Sequence, residues 1–159
     1  MSIIIDGTAG LTYPNSTVQA SAGVVLQVVN AVSGTATNTS STSYVVTTLT
    51  ASITPKFSTS KIYVVANYEA YTTTAGTKAL TTIYRNGATN LAGSSDVMGV
   101  LWTSSGGQLQ ATNCITVLDS PATTSSTTYA VYLKASAANS VGVNNDGYLA
   151  SITLMEIAG

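Results

Sequence analysis

Read with a period of two, the segment Lys61 to Tyr71 (KIYVVANYEAY) places Ile62, Val64, Ala66, Tyr68 and Ala70 on one side and Tyr63, Val65, Asn67, Glu69 and Tyr71 on the other. The first set predicts a strand lying on a core. The second set departs from the polar outer face of a sheet that meets water, because Tyr63, Val65 and Tyr71 stand where hydroxyls or charges are usual. Something besides solvent is therefore expected to cover that face. Thr128 to Lys134 (TYAVYLK) and Tyr148 to Ile157 (YLASITLMEI) repeat the two-sided pattern. A sheet apolar on both faces, in a chain with little helical periodicity, predicts a sandwich whose inner sheet packs against copies of itself.

Other strands follow from β-branched density. Val24 to Val32 is the first, then Tyr44 to Leu49 with Ala51 to Thr54, Ala79 to Arg85, Leu109 to Leu118 and Val141 to Val143. Between them lie an eleven-residue uncharged loop, Ser33 to Ser43, and the strongest tight-turn signal of the chain, Asn86-Gly87. A hairpin is predicted there. The stretch Asn90 to Gly107 is the least regular, and Asp119-Ser120-Pro121 and Asn144-Asn145-Asp146-Gly147 read as breaks. Nine or ten short strands at this spacing predict an all-β sandwich or barrel. Residues 1–23 hold Gly7, Gly10, Pro14 and Gly23 in a short span, so regular structure there should be brief. They read as an arm, with residues 24–159 as the sandwich.

Composition adds to this picture. Hydrophobic residues make up 45% of the 159-residue chain and charged ones only 7%, against roughly 25% charged in an average soluble domain. One ordered domain with a sizeable core is expected, since disordered chains are poor in apolar residues and rich in charge. A net charge of -1, from five basic and six acidic side chains spread singly, offers no patch to neutralise phosphates, which argues against a nucleic-acid partner. The same weak charge gives copies little reason to repel one another. No apolar run approaches the ~20 residues that span a bilayer, and MSIIIDG lacks the basic start of a signal peptide. Neither membrane insertion nor a leader is expected. The lone Cys114, flanked by strand-like residues, is read as a small packing residue.

Two groups of residues carry a family resemblance. In the arm, GLTYPNSTVQ (Gly10 to Gln19) resembles a short module found near fibre and tail-associated domains of bacteriophage virion proteins, with Asn15-Ser16 where that module usually has Asp-Gly. Across Ser60 to Glu156, the strand KIYVVANYEAY, the strand-turn TTIYRNGATNLA (Thr81 to Ala92), TYAVYLKAS and the closing NDGYLASITLMEI resemble jelly-roll trimers of the tumour necrosis factor and complement globular-head type, especially their phage relatives. The resemblance implies an all-β jelly-roll β-sandwich, homotrimeric, with a short extended N-terminal arm. It implies a location on the virion. The two-sided apolar strands and the low charge then predict contacts near a three-fold axis around Tyr63, Tyr68, Tyr132 and Leu154, with Ile3, Ile4, Ile5, Leu11 and Tyr13 expected to anchor the arm in another virion protein or between trimer neighbours. Fully extended, such an arm reaches at most ~80 Å.

Chemistry is sparse. Histidine is absent, which removes the commonest general base and metal ligand, and the six acids are scattered. No catalytic residue, metal site or cofactor is predicted, and the chain is expected not to be an enzyme. Asn144 to Gly147 reads as a β-turn, although its oxygens would also suit calcium. Trp102 reads either as a packed ring or, with Asp96 and Gln108, as a contact for a host-surface glycan. Two roles remain: a capsid decoration or short-fibre protein, and the receptor-binding tip of a tail fibre.

Overall fold

The computed structural model describes residues 23–159 throughout and, before them, three short backbone ladders. These are Ile4–Asp6 (β1), Gly10–Thr12 (β2) and Val18–Gln19 (β3), paired antiparallel in that order. The strands described there are only two or three residues long. Of the expected anchor residues, Ile4, Ile5 and Leu11 fall on these strands, while Ile3 and Tyr13 lie outside the described residues.

The sandwich is built from Val25–Ser33 (β4), Thr37–Thr39 (β5), Val45–Ile53 (β6), Lys61–Thr72 (β7), Lys78–Arg85 (β8), Thr89–Asn90 (β9), Gly99–Trp102 (β10), Leu109–Asp119 (β11), Thr127–Ala135 (β12), Val141–Val143 (β13) and Ala150–Ile157 (β14). Two antiparallel sheets face each other. In the first, β7 lies between β11 on one edge and β14 on the other, and β14 pairs outward with β4. The short β13 and β5 continue along the same edge of β7 beyond β14. The second sheet runs β10-β8-β12-β6, with β9 also on β8. Counting only the eight longer strands, the orders are first-eighth-third-sixth and second-seventh-fourth-fifth. That is jelly-roll-like connectivity.

Alternation explains which residues face inward. Leu49, Ala51 and Ile53 of β6 are buried while Thr48, Thr50 and Ser52 between them are exposed. The core joins these to Ile62, Val64, Ala66, Tyr68 and Ala70 of β7, to Ile152 and Leu154 of β14, and to Tyr129, Val131 and Leu133 of β12. Each fully buried Leu or Ile contributes roughly 1.5–3 kcal/mol. At the predicted hairpin Asn86 and Gly87 take φ of 51° and 68°, and Ala88 N–H closes the turn on the Arg85 carbonyl at 3.1 Å. Positive φ at both central residues is the type I′ signature that Asn-Gly favours.

Polar groups tie the two sheets across the core. Tyr68 and Thr81 share a hydrogen bond between their hydroxyls, and Gly99 leaves the room, since a Cβ there would collide with both. Burial pushes the Tyr68 hydroxyl up to about 12. Tyr129 donates its hydroxyl to Asp119 Oδ2 at 2.8 Å, and Arg85 holds both oxygens of the same carboxylate at 2.8 and 2.9 Å. Glu156, fully buried, accepts Gln27 Nε2 at 2.6 Å and the Lys56 N–H at 2.7 Å. Burial alone would raise its carboxyl, but these hydrogen bonds outweigh burial and hold it below the usual carboxylate value.

Several sequence expectations are corrected. The loop Ser33 to Ser43 contains β5, and the irregular Asn90 to Gly107 contains β10, both too short to show a period. Tyr148, expected in the last strand, lies in the loop before it and is 56% exposed. Cys114 sits on the outer face of β11 and is exposed, because Ile115 takes the inward position beside it.

Candidate functional site

The outer face of the first sheet decides most. Cross-strand register places Val28 of β4 opposite Met155 of β14, Met155 opposite Tyr63 of β7, and Tyr63 opposite Leu118 of β11. One line across four strands is therefore apolar at every step. Val28 and Leu118 are more than half exposed, as are Val32 and, at the threshold, Val25. The lines beyond it, toward the other end of the sheet, mix polar and apolar side chains. The next is Asn30, Thr153, Val65 and Thr116; the one after is Val32, Ser151, Asn67 and Cys114. Strands spaced about 4.8 Å apart make the apolar line roughly 14 Å long.

This geometry divides the expected trimer contacts. Tyr68 and Leu154 are 1% and 0% exposed inside the sandwich and cannot meet a neighbour. Their period-two partners form the surface instead. Tyr63 lies on the outer face of the first sheet and Tyr132 on the outer face of the second, so one flat contact cannot hold both. The two-sided apolarity of β7 also has two causes. At the Tyr71 end the chain covers itself: the Tyr71 ring lies against Gly142 of β13, where any side chain would collide with it. At the Tyr63 end no strand among the described residues lies over that face in this way.

On the second sheet, Tyr44 meets Tyr84 edge to face and Tyr84 lies tilted against Tyr132, with ring centroids 5.8 and 4.3 Å apart. Lys134 Nζ sits 4.3 Å from the Tyr44 ring centre and pairs with Asp96. The Tyr44 hydroxyl donates to the Asp96 carbonyl at 2.6 Å. Burial raises its pKa, helped by the Asp96 charge, whereas the Lys134 hydrogen bond holds the Asp96 carboxyl below its usual value. Asp96 is thus bound into a surface cluster. Trp102, 52% exposed, stands opposite Lys78 at the far end of β10, and Gln108 is exposed in the loop before β11. Among the described residues no hydrogen bond links Trp102 or Gln108 to Asp96, whose partners are Asn90, Lys134 and Tyr44.

The Asn144 to Gly147 turn does acquire a partner that spacing could not show. Strands β13 and β14 leave Tyr68 and Glu69 between them on one edge of β7, and the connecting loop crosses there. Asn144 N–H donates to the Glu69 carbonyl and Asn145 N–H to Glu69 Oε2, both at 2.9 Å. Glu69 Oε1 and Asn144 Oδ1 are buried and have no partner among the described residues. Burial, with Asp146 adding repulsion, raises the Glu69 carboxyl against the opposing Asn145 hydrogen bond. A raised folded-state pKa means that its stabilising contribution is present at low pH and lost as pH rises through the folded value. Glu69→Gln is therefore expected to raise Tm at neutral pH and to flatten its dependence on pH above the usual carboxylate value. A Tm that falls at neutral pH, measured by scanning calorimetry, would contradict this.

No cluster of three His, Cys, Asp or Glu side chains able to hold a metal occurs among the described residues. No family model and no curated protein matches the chain. Among solved structures, the crystal structure of the infectious bursal disease virus VP2 subviral particle is similar with a TM-score of 0.42 and 11% sequence identity, over 96% of this chain and 45% of that one. The chain spans under half the length of that protein.

Proposed function

We propose that the protein is a non-enzymatic structural component of a bacteriophage virion, a homotrimeric β-sandwich knob held to the particle by its N-terminal segment as a decoration protein or short fibre. The observation that carries the self-association is the apolar line Val28-Met155-Tyr63-Leu118 on an otherwise weakly charged molecule. A contiguous exposed apolar patch of this kind marks an interaction surface, and a permanent interface resembles a core cut in half. The sandwich connectivity and the phage-like arm motif support the virion half of the reading.

Mass under native conditions is expected to give three chains, and mass spectrometry of purified particles to find the protein. Deleting residues 2–20 is expected to leave trimers that no longer join particles. A stable monomer at micromolar concentration, or absence from particles, would overturn the proposal. The receptor-binding reading keeps one specific observation in its favour, the half-exposed ring of Trp102. If truncated trimers join particles normally while Trp102→Ala abolishes adsorption to host cells, that reading replaces the first.

A further inference from the structure

The loop that crosses Glu69 also encloses a cleft of about 450 Å³ on the outer face of the first sheet, lined by Asn67, Glu69, Gln110, Thr112, Tyr148 and Leu149 among others. That volume lies within the roughly 300–1,000 Å³ of small-molecule sites. Its floor comes from outward positions of β7 and β11, which pair Asn67 with Cys114, Glu69 with Thr112 and Tyr71 with Gln110. Its wall is Tyr148 and Leu149, 56% and 73% exposed. Polar floor and apolar wall thus meet near a carboxylate that is only 7% exposed and has one oxygen without a partner among the described residues.

We propose that this cleft binds a neutral saccharide, whose hydroxyls hydrogen-bond Glu69 and the floor while its C–H face lies on the Tyr148 ring.

The chemistry narrows the ligand. A buried oxygen without a partner calls for a donor, and sugar hydroxyls supply donors at the spacing of amide, hydroxyl and carboxylate acceptors. An anion finds no basic side chain among the residues lining the cleft. A cation finds too few ligands, because Asp146 is already engaged by Gln110 Nε2 at 2.7 Å and Asn145 Nδ2 at 3.2 Å. An exposed tyrosine offers a large apolar face at low entropic cost, with a hydroxyl at its edge. Burial also disfavours the charged form of Glu69, which suits a neutral partner better than an ionic one.

The cleft lies six residues along β7 from Tyr63, and none of its lining residues belongs to the apolar line Val28-Met155-Tyr63-Leu118. Its occupancy is therefore read separately from the self-association proposed above. The test is saturation-transfer NMR on the full chain with a panel of glucose, galactose, mannose and N-acetylglucosamine and their common disaccharides, with native mass recorded on the same samples. At least one saccharide is expected to receive saturation. Tyr148→Ala, a loop change that removes no core contact, is expected to weaken it at least about tenfold. Glu69→Gln is expected to weaken it as well, and Val100→Ser on the opposite sheet to leave it unchanged. The proposal fails if no saccharide of the panel binds, if binding survives both Tyr148→Ala and Glu69→Gln, or if Trp102→Ala abolishes it while Tyr148→Ala does not. It also fails if terbium luminescence shows a Glu69-dependent cation in the cleft of a protein that binds no sugar.

Discussion

If the protein is the trimer proposed above, replacing Val28 and Leu118 together by aspartate is expected to give a monomer while leaving the sandwich folded. Both side chains are more than half exposed and stand at opposite ends of the apolar line, on β4 and β11. Exposure means that neither contributes much to the fold, so the charges cost the isolated chain little. In an interface the same charges are desolvated without partners, at several kcal/mol per ion across three copies. The mass in solution should fall from three chains to one, with the far-ultraviolet circular dichroism of the parent. A variant that remains trimeric would move the contact away from this face, and one that is unfolded would show the two valine and leucine side chains to be structural after all.

Leu154→Ala is expected to do the opposite. Leu154 is fully buried, between Val29 of β4 and Val64 of β7 in the cross-strand register. Truncation removes transfer free energy and leaves a cavity that neighbouring strands, fixed by their ladders, fill only in part. The cost is about 2–5 kcal/mol, a fall in Tm of roughly 5–20 °C at this chain length. Below its lowered Tm the variant should still give the mass of three chains. Were Leu154 an interface residue, dilution would separate the subunits while the monomer kept its stability. Running both variants through calorimetry and native mass measurement distinguishes core from contact in a single comparison.

Much of the chain's β architecture was legible locally. The period of two found β7, β12 and β14 to within a few residues, because it follows directly from the pleat, and β-branched density found β8 and β11. Asn86-Gly87 announced its turn, because Asn and Gly tolerate the two positive φ angles it requires. The strands β5, β9 and β10, two to four residues long, left no period to read; their partners along β13 and β8 define them.

The core face of β7, with Ile62, Val64, Ala66, Tyr68 and Ala70, was legible. What local sequence could not decide was which residues share the outer face with Tyr63, Val65 and Tyr71, because a period of two says nothing about neighbouring strands. That belongs to register. Only pairing with β14 and β11 puts Met155 and Leu118 beside Tyr63, and only pairing of β14 with β4 extends that line to Val28, 35 positions earlier in the chain. Pairing likewise seats Asn145 over Glu69, 76 residues apart, and so turns a loop that reads as a plain β-turn into the wall of a cleft. The sequence by itself determined strands, turns and the absence of histidine chemistry, all of which rest on single residues or their near neighbours. Tertiary structure decided the exposed face and the cleft, because each is assembled from strands whose contact depends on closing long loops and matching ladders across the whole sheet.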